Sequence, residues 1–178
     1  MSQSNKCTKS KKNAIFEQDR SVRVVNGTRK SPFYVLTEQD IAELLVDIRT
    51  IEADESIFEF NCDFVRGTSY IDTIDKIAVK GNVYPDKVSG STHPRDIMSP
   101  RAVLAHEYYG HRTYRGTSLP PEHWEDEFRA SRTAAEITPN LTDEERKHLV
   151  LDAIERKREA GIKVELDDFM RRILDGTN

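Results

Sequence analysis

The stretch that most constrains this chain is Ser99–His111, where a Ser-Pro pair precedes four consecutive apolar residues, Ala102–Ala105, with His106, Glu107 and His111 directly after them. Serine at the N-cap followed by proline at the first helical position is a helix start. Four apolar residues in a row put hydrophobic groups all round one helical turn, so that turn must be buried on most sides. Ionisable groups at the end of a buried helix cost free energy unless they have partners. A divalent cation is one partner that suits imidazole and carboxylate donors together.

The spacing of the two histidines is informative. In the familiar zinc-hydrolase helix, His-Glu-x-x-His, residues four apart lie on one face and both imidazoles reach one ion. Here the spacing is five, which at 3.6 residues per turn advances about 500° and leaves His111 about 140° from His106. A single π-type bulge absorbs the extra residue and restores the common face, and such bulges recur at functional sites. Gly110, lacking a Cβ, is expected to make that distortion cheap. His106 and His111 are therefore expected metal ligands on a bulged helix, with Glu107 beside them.

A second helix, expected from Pro120-Pro121 to about Ile137, supplies the third ligand. Glu127, Ala130, Ser131 and Ala134 share one of its faces, and the small residues beyond the carboxylate let a neighbouring helix approach closely. Glu127 then comes within reach of the histidines. The plainer reading makes Glu127 one charge of the solvated run Glu122, Glu125, Asp126, and His123 is a rival ligand.

Two short motifs in this region resemble those of a known family. His106-Glu107-Tyr108-Tyr109-Gly110-His111 resembles the His-Glu-x-x-Gly-His motif of the dipeptidyl-peptidase III metallopeptidases, and Asp126-Glu127-Phe128-Arg129-Ala130-Ser131 resembles their Glu-Glu-x-Arg-Ala-Glu. The resemblance implies that Glu127 is the third zinc ligand of a glutamate-type (gluzincin) zincin-like site. Asp126 and Ser131 depart from that family's two other glutamates, and its chains are several times longer. The stretch Val88–Ala135 is also similar to uncharacterised segments of phage head-morphogenesis-type proteins, which assign no activity.

Three protein ligands leave a fourth position for water, the arrangement of catalytic zinc. Zinc lowers the pKa of such a water toward about 7, and Glu107 is the expected general base. The expected function is zinc-dependent peptide hydrolysis, with a peptide or protein as substrate. A donor for the developing oxyanion is also needed. The candidates are Tyr108, Tyr109, Tyr114, His93 and His123. Tyr114 and His93 are carried as catalytic candidates, the latter because it lies in a long loop, Pro85–Ser99, just before the metal helix. A strand near Ile77–Val79 is expected to be the edge along which an extended peptide pairs.

The rest of the sequence sets the frame. With 178 residues and 33% charged side chains, the chain suits one modest core over residues 15–178. No apolar run reaches the roughly 18 residues of a membrane span, and no secretory signal is visible. Cys7 and Cys62 are too few for a disulfide framework and read as reduced thiols of a cytoplasmic protein. Residues 1–30 carry eight Lys/Arg against Glu17 and Asp19, so with an overall charge of −4 the remainder is −10. Residues 1–14 are expected to be a disordered basic tail; a basic arm on an acidic body could also touch nucleic acid, although no aromatic platform accompanies the lysines.

A short strand is expected at Ser21–Val25 and a helix after Thr37, with Ile41, Leu44, Leu45, Ile48 and Ile51 on its buried face. Strands follow at Ile57–Phe60, Asp63–Arg66 and Lys76–Lys80. A capping-box helix starts at Thr142-Asp-Glu-Glu145 and ends at Gly161, and a last short helix covers Leu166–Leu174. The expected fold class is a compact, zincin-like α+β domain, helix-rich with a small sheet. The rival functions are a catalytically inactive zincin-fold metal-binding protein with a structural, phage or mobile-element role, and a nucleic-acid-associated module using the basic arm.

Overall fold

The computed structural model describes residues 29–86, 90–117 and 123–176. The basic tail, the strand expected at Ser21–Val25 and the residues Pro120 and Pro121 lie outside these residues; the helix expected to start at Pro120-Pro121 begins instead at Trp124, because His123 is extended and caps it. Within them the chain is helix-rich with one small mixed sheet, an α+β fold.

The first helix, α1 (Glu38–Thr50), begins where the sequence places it. Thr37 Oγ1 accepts from the Asp40 backbone N–H at 3.1 Å, and the Asp40 carboxylate accepts from the Thr37 N–H at 2.8 Å. This reciprocal pair satisfies two of the donors that a helix start leaves open. Leu44 and Ile48 are buried on its inner face, and Ile51 follows them into the core.

Three short strands come next: β1 (Phe58–Phe60), β2 (Ser69–Ile71) and β3 (Lys76–Val79), in the order β1-β3-β2. β1 is parallel to β3, with Phe58 opposite Ile77; β2 is antiparallel, with Tyr70 opposite Ile77. The strand expected over Asp63–Arg66 is absent, and its place is taken by β2. The connection from β2 to β3 is a 3-10 turn, Asp72–Ile74, closed by Asp75 in the left-handed region (φ 51°). So tight a turn pairs β3 with whatever directly precedes it, and that is Ser69–Ile71. Hence β3 is the central strand, its two sides occupied, and not the open edge expected from the sequence. β2 is an edge.

The loop before the metal helix is partly ordered into α2 (Pro94–Ile97). Then α3 (Pro100–Ala105) starts at Ser99, whose Oγ accepts from the Ala102 N–H at 3.1 Å and donates to Glu145 at 2.6 Å. It passes into a π-helical turn, His106–Gly110, and a 3-10 turn, His111–Tyr114. The remaining helices are α4 (Trp124–Ile137), α5 (Asp143–Glu159) with its Thr142/Glu145 capping box, and α6 (Asp168–Asp175).

α3 is central. Ala102, Leu104 and Ala105 have no exposed surface, and α3 packs against both α1 and α5. The π turn continues against α4 and touches β2. The apolar run thus serves as the buried post from which the ionisable residues project. Cys62 is buried and lies in no disulfide among the described residues, and Cys7 lies outside them. No described helix is long and apolar enough to cross a membrane.

Because Leu104 is wholly enclosed, Leu104→Ala should leave a cavity and lower unfolding free energy by about 2–5 kcal/mol, read from the shift of the denaturant midpoint at unchanged slope.

Candidate metal centre

The π turn converts a spacing of five into a shared face. His106 Nε2 lies 3.5 Å from Glu127 Oε2, and His111 Nε2 lies 3.7 Å from Glu127 Oε1. The imidazole rings meet edge to face, their centroids 4.7 Å apart. Donor atoms of the three residues lie within 4.8 Å of one another, so His106, His111 and Glu127 form a group able to hold a metal ion.

Gly110 contributes to this in a way its sequence position does not reveal. Its φ is −81° and its ψ −87°, so no left-handed conformation calls for glycine here; the packing does. A Cβ there would sit 2.6 Å from the Ala130 carbonyl oxygen and 2.9 Å from the Ala130 Cβ. The glycine is needed for the close approach of the π turn to α4, and that approach carries Glu127 to the histidines.

Each imidazole is oriented through its other nitrogen. Asp126 Oδ2 accepts from His111 Nδ1 at 3.0 Å, and Arg129 Nε holds the second oxygen of Asp126 at 2.9 Å. Ser131 Oγ lies 2.9 Å from His106 Nδ1 and donates to Asp152 Oδ2 at 2.7 Å. A serine that gives its only proton to Asp152 can only accept from His106, so Nδ1 carries a proton and Nε2 faces Glu127. Both Nε2 atoms are thereby presented to one point, the outer-contact arrangement typical of metal-binding imidazoles. This is the fit expected of a bound cation: two nitrogens and one carboxylate converging, each with its tautomer or orientation held from behind.

The electrostatics agree. Burial works against a charge on His111, but its hydrogen bond to Asp126 and the charges of Glu107, Glu127 and Asp126 outweigh it and raise the pKa to about 9. Burial likewise opposes ionisation of Glu127, yet the hydrogen bond and charge of His106 and the charges of Arg156 and His111 hold its carboxyl well below the usual range. Arg156 Nη2 is 2.9 Å from Glu127 Oε2.

The other expected residues are distributed unevenly. Glu107 is buried beside the triad, its Oε2 accepting from the Tyr70 N–H of β2 at 2.8 Å. A cavity of about 1290 Å³ is lined by the triad, Glu107, β2, Asp152 and Arg156. His93 and Tyr114 do not line it. His93 caps α2 with its Nδ1, and its Nε2 is 3.4 Å from Glu159. The Tyr114 hydroxyl bonds Thr133 Oγ1 at 2.9 Å, with the Arg129 guanidinium over its ring. The structure therefore brings neither to the triad. The hydroxyl of Tyr108 meets the Asp54 N–H and that of Tyr109 the Ile51 carbonyl, while His123 caps α4.

Sequence reasoning missed Asp152 and Arg156, which lie four apart on α5. A readable signal existed: Asp152 interrupts the apolar stripe Leu149, Val150, Ala153, Ile154, and a charge at a core position implies buried partners. Comparison of the chain with protein-family models, with curated proteins and with solved structures finds no match.

Two outcomes follow from this geometry. Gly110→Ala must push the turn away from backbone atoms of α4; it should cost about 1–3 kcal/mol as overpacking does and weaken zinc affinity in an isothermal titration. In the metal-free protein the folded pKa of His111 lies above its ordinary 6.5. Its stabilising contribution should be complete below about pH 6.5 and be lost as pH rises through about 9. A cation must displace that proton, so zinc affinity should climb with pH and level off near 9, as a pH series of competition titrations would show.

Proposed function

We propose that this chain is a zinc-dependent peptide hydrolase. The observation that carries the reading is the placement of Glu107, a buried carboxylate one residue from His106, in the same cavity as a His-His-Glu group and tied to an edge strand. A purely structural zinc site is normally closed by four protein ligands; among the described residues the group offers three. Zinc is preferred over other divalent cations because two imidazoles and one carboxylate are among its usual donor sets.

A bound zinc ion would supply Lewis acidity, polarising a carbonyl and making water acidic enough to lose a proton near neutral pH. The protein's own groups do the rest. The N–H of Tyr70 fixes Glu107 against β2, and β2 is an edge whose outer side lines the cavity. An extended peptide adding to that edge would be held in the same frame as the base. As the water oxygen bonds to the carbonyl carbon, its proton passes to Glu107 and the C=O π pair moves onto oxygen. On collapse that pair returns, the C–N bond breaks, and Glu107 delivers the proton to the departing nitrogen. No group is left out of balance.

Purified protein should contain close to one zinc per chain by elemental analysis, and the zinc-loaded form should cleave members of a broad peptide library. Glu107→Gln should retain the zinc and lose cleavage by at least about 100-fold, the usual scale for general acid–base work. A folded protein without affinity for zinc overturns the reading. Zinc binding with no cleavage of any library member leaves the other function, a metal-holding domain without hydrolase activity.

A further inference from the structure

We infer that Arg156 of α5 is the catalytic electrophile that stabilises the negative charge developing on the scissile carbonyl oxygen, an inference that rests on the peptide-hydrolase reading. The tyrosines and histidines expected for this task are engaged elsewhere, as described above. The cavity's remaining cations divide clearly. Arg29 is spent on a cage of backbone carbonyls, including those of Asn82, Val83, Arg95 and Met98. Arg95 is bound to Glu159 and lies 3.7 Å from Asp152. Arg66 is exposed on the segment before β2. Among the described residues, Arg156 is the cavity-lining cation that touches a triad ligand.

Its geometry suits the role. Nη2 is 2.9 Å from Glu127 Oε2 and Nε is 3.4 Å from Asp152 Oδ2, whereas Nη1 makes no hydrogen bond among the described residues. Two corners of a planar fork are thus anchored on carboxylates, and the side chain lines the cavity. The side chain is only 16% exposed, so its charge acts with little screening. A donor held in place before reaction pays no reorganisation as charge develops, which is the basis of oxyanion stabilisation. In the step already written, the oxygen that takes up the C=O π pair would be met by the Arg156 guanidinium, and the pair returns on collapse.

The test uses the full zinc-loaded chain and a peptide taken from the library, with Arg156→Gln and Arg156→Lys as variants. Arg156→Gln keeps a hydrogen-bonding group of similar reach without charge. It should hold one zinc per chain, lose about 100- to 1000-fold in kcat, and change KM by less than about threefold. Arg156→Lys should recover part of kcat.

A second readout is independent of cleavage. Inorganic phosphate, a tetrahedral anion, should perturb the visible absorption of the cobalt-loaded protein, with affinity about tenfold or more weaker in Arg156→Gln. Unchanged kcat or unchanged phosphate affinity overturns the inference. So does a variant that merely sheds its metal and regains activity in excess zinc, since Arg156 would then only position Glu127. Should Arg156→Gln not fold, Arg156→Lys decides: retained phosphate affinity and kcat within about tenfold of the unmutated protein support the role of the charge, and loss of both while zinc is held overturns it. An unmutated protein that binds zinc but cleaves nothing overturns the hydrolase reading and this inference together. An active protein indifferent to Arg156 overturns this inference alone.

Discussion

Everything at the candidate metal centre depends on one register change, the π turn at His106–Gly110, pressed against α4 at Ala130. In an unbroken α-helix the two histidines would diverge by about 140°. The turn rotates His111 back beside His106, at the cost of less favourable backbone hydrogen bonding. What offsets that cost is tertiary: the buried run Ala102–Ala105 behind it, the absence of a side chain at Gly110, and the polar contacts each histidine makes to α4. Local preference alone would not select this conformation.

The second constraint is charge. Four carboxylates, of Glu107, Asp126, Glu127 and Asp152, are buried or nearly so around two imidazoles. Such a cluster would repel itself if it were not paired. Asp126 is shared by His111 and Arg129, Glu127 by both histidines and Arg156, Asp152 by Ser131 and Arg156, and Glu107 by a backbone N–H. These partners orient the donors of His106, His111 and Glu127 from behind. The last of them come from α5, which makes that helix part of the centre and not only support for it. The sheet contributes through one of its two edges, because β2, an edge strand, is also the strand that holds Glu107.

Much of this was legible in the sequence because it is local. Thr37, Ser99 and Thr142 are caps whose side chains act on the next few residues, so the starts of α1, α3 and α5 fall where those residues stand. The five-residue spacing demanded a bulge, and the apolar run demanded burial. The small residues along one face of α4 forecast its close approach, and with it the meeting of Glu127 with both histidines. Where the reading went astray, the deciding contact was remote in sequence. Asp63–Arg66 has strand-like residues, but the tight turn at Asp72–Asp75 assigns the pairing to Ser69–Ile71. His93 and Tyr114 were plausible donors until Glu159 and Thr133 claimed them.

The chain's sequence therefore determined the helices, the distorted turn and the three donors, since each follows from spacing, capping and the cost of burying ionisable groups. Only the tertiary structure decided why residue 110 must be glycine, which strands are the edges, and that Asp152 and Arg156 complete the centre. The physical reason is that van der Waals exclusion, strand order and charge pairing between distant segments depend on where elements come to rest, and no periodicity along a single segment encodes that.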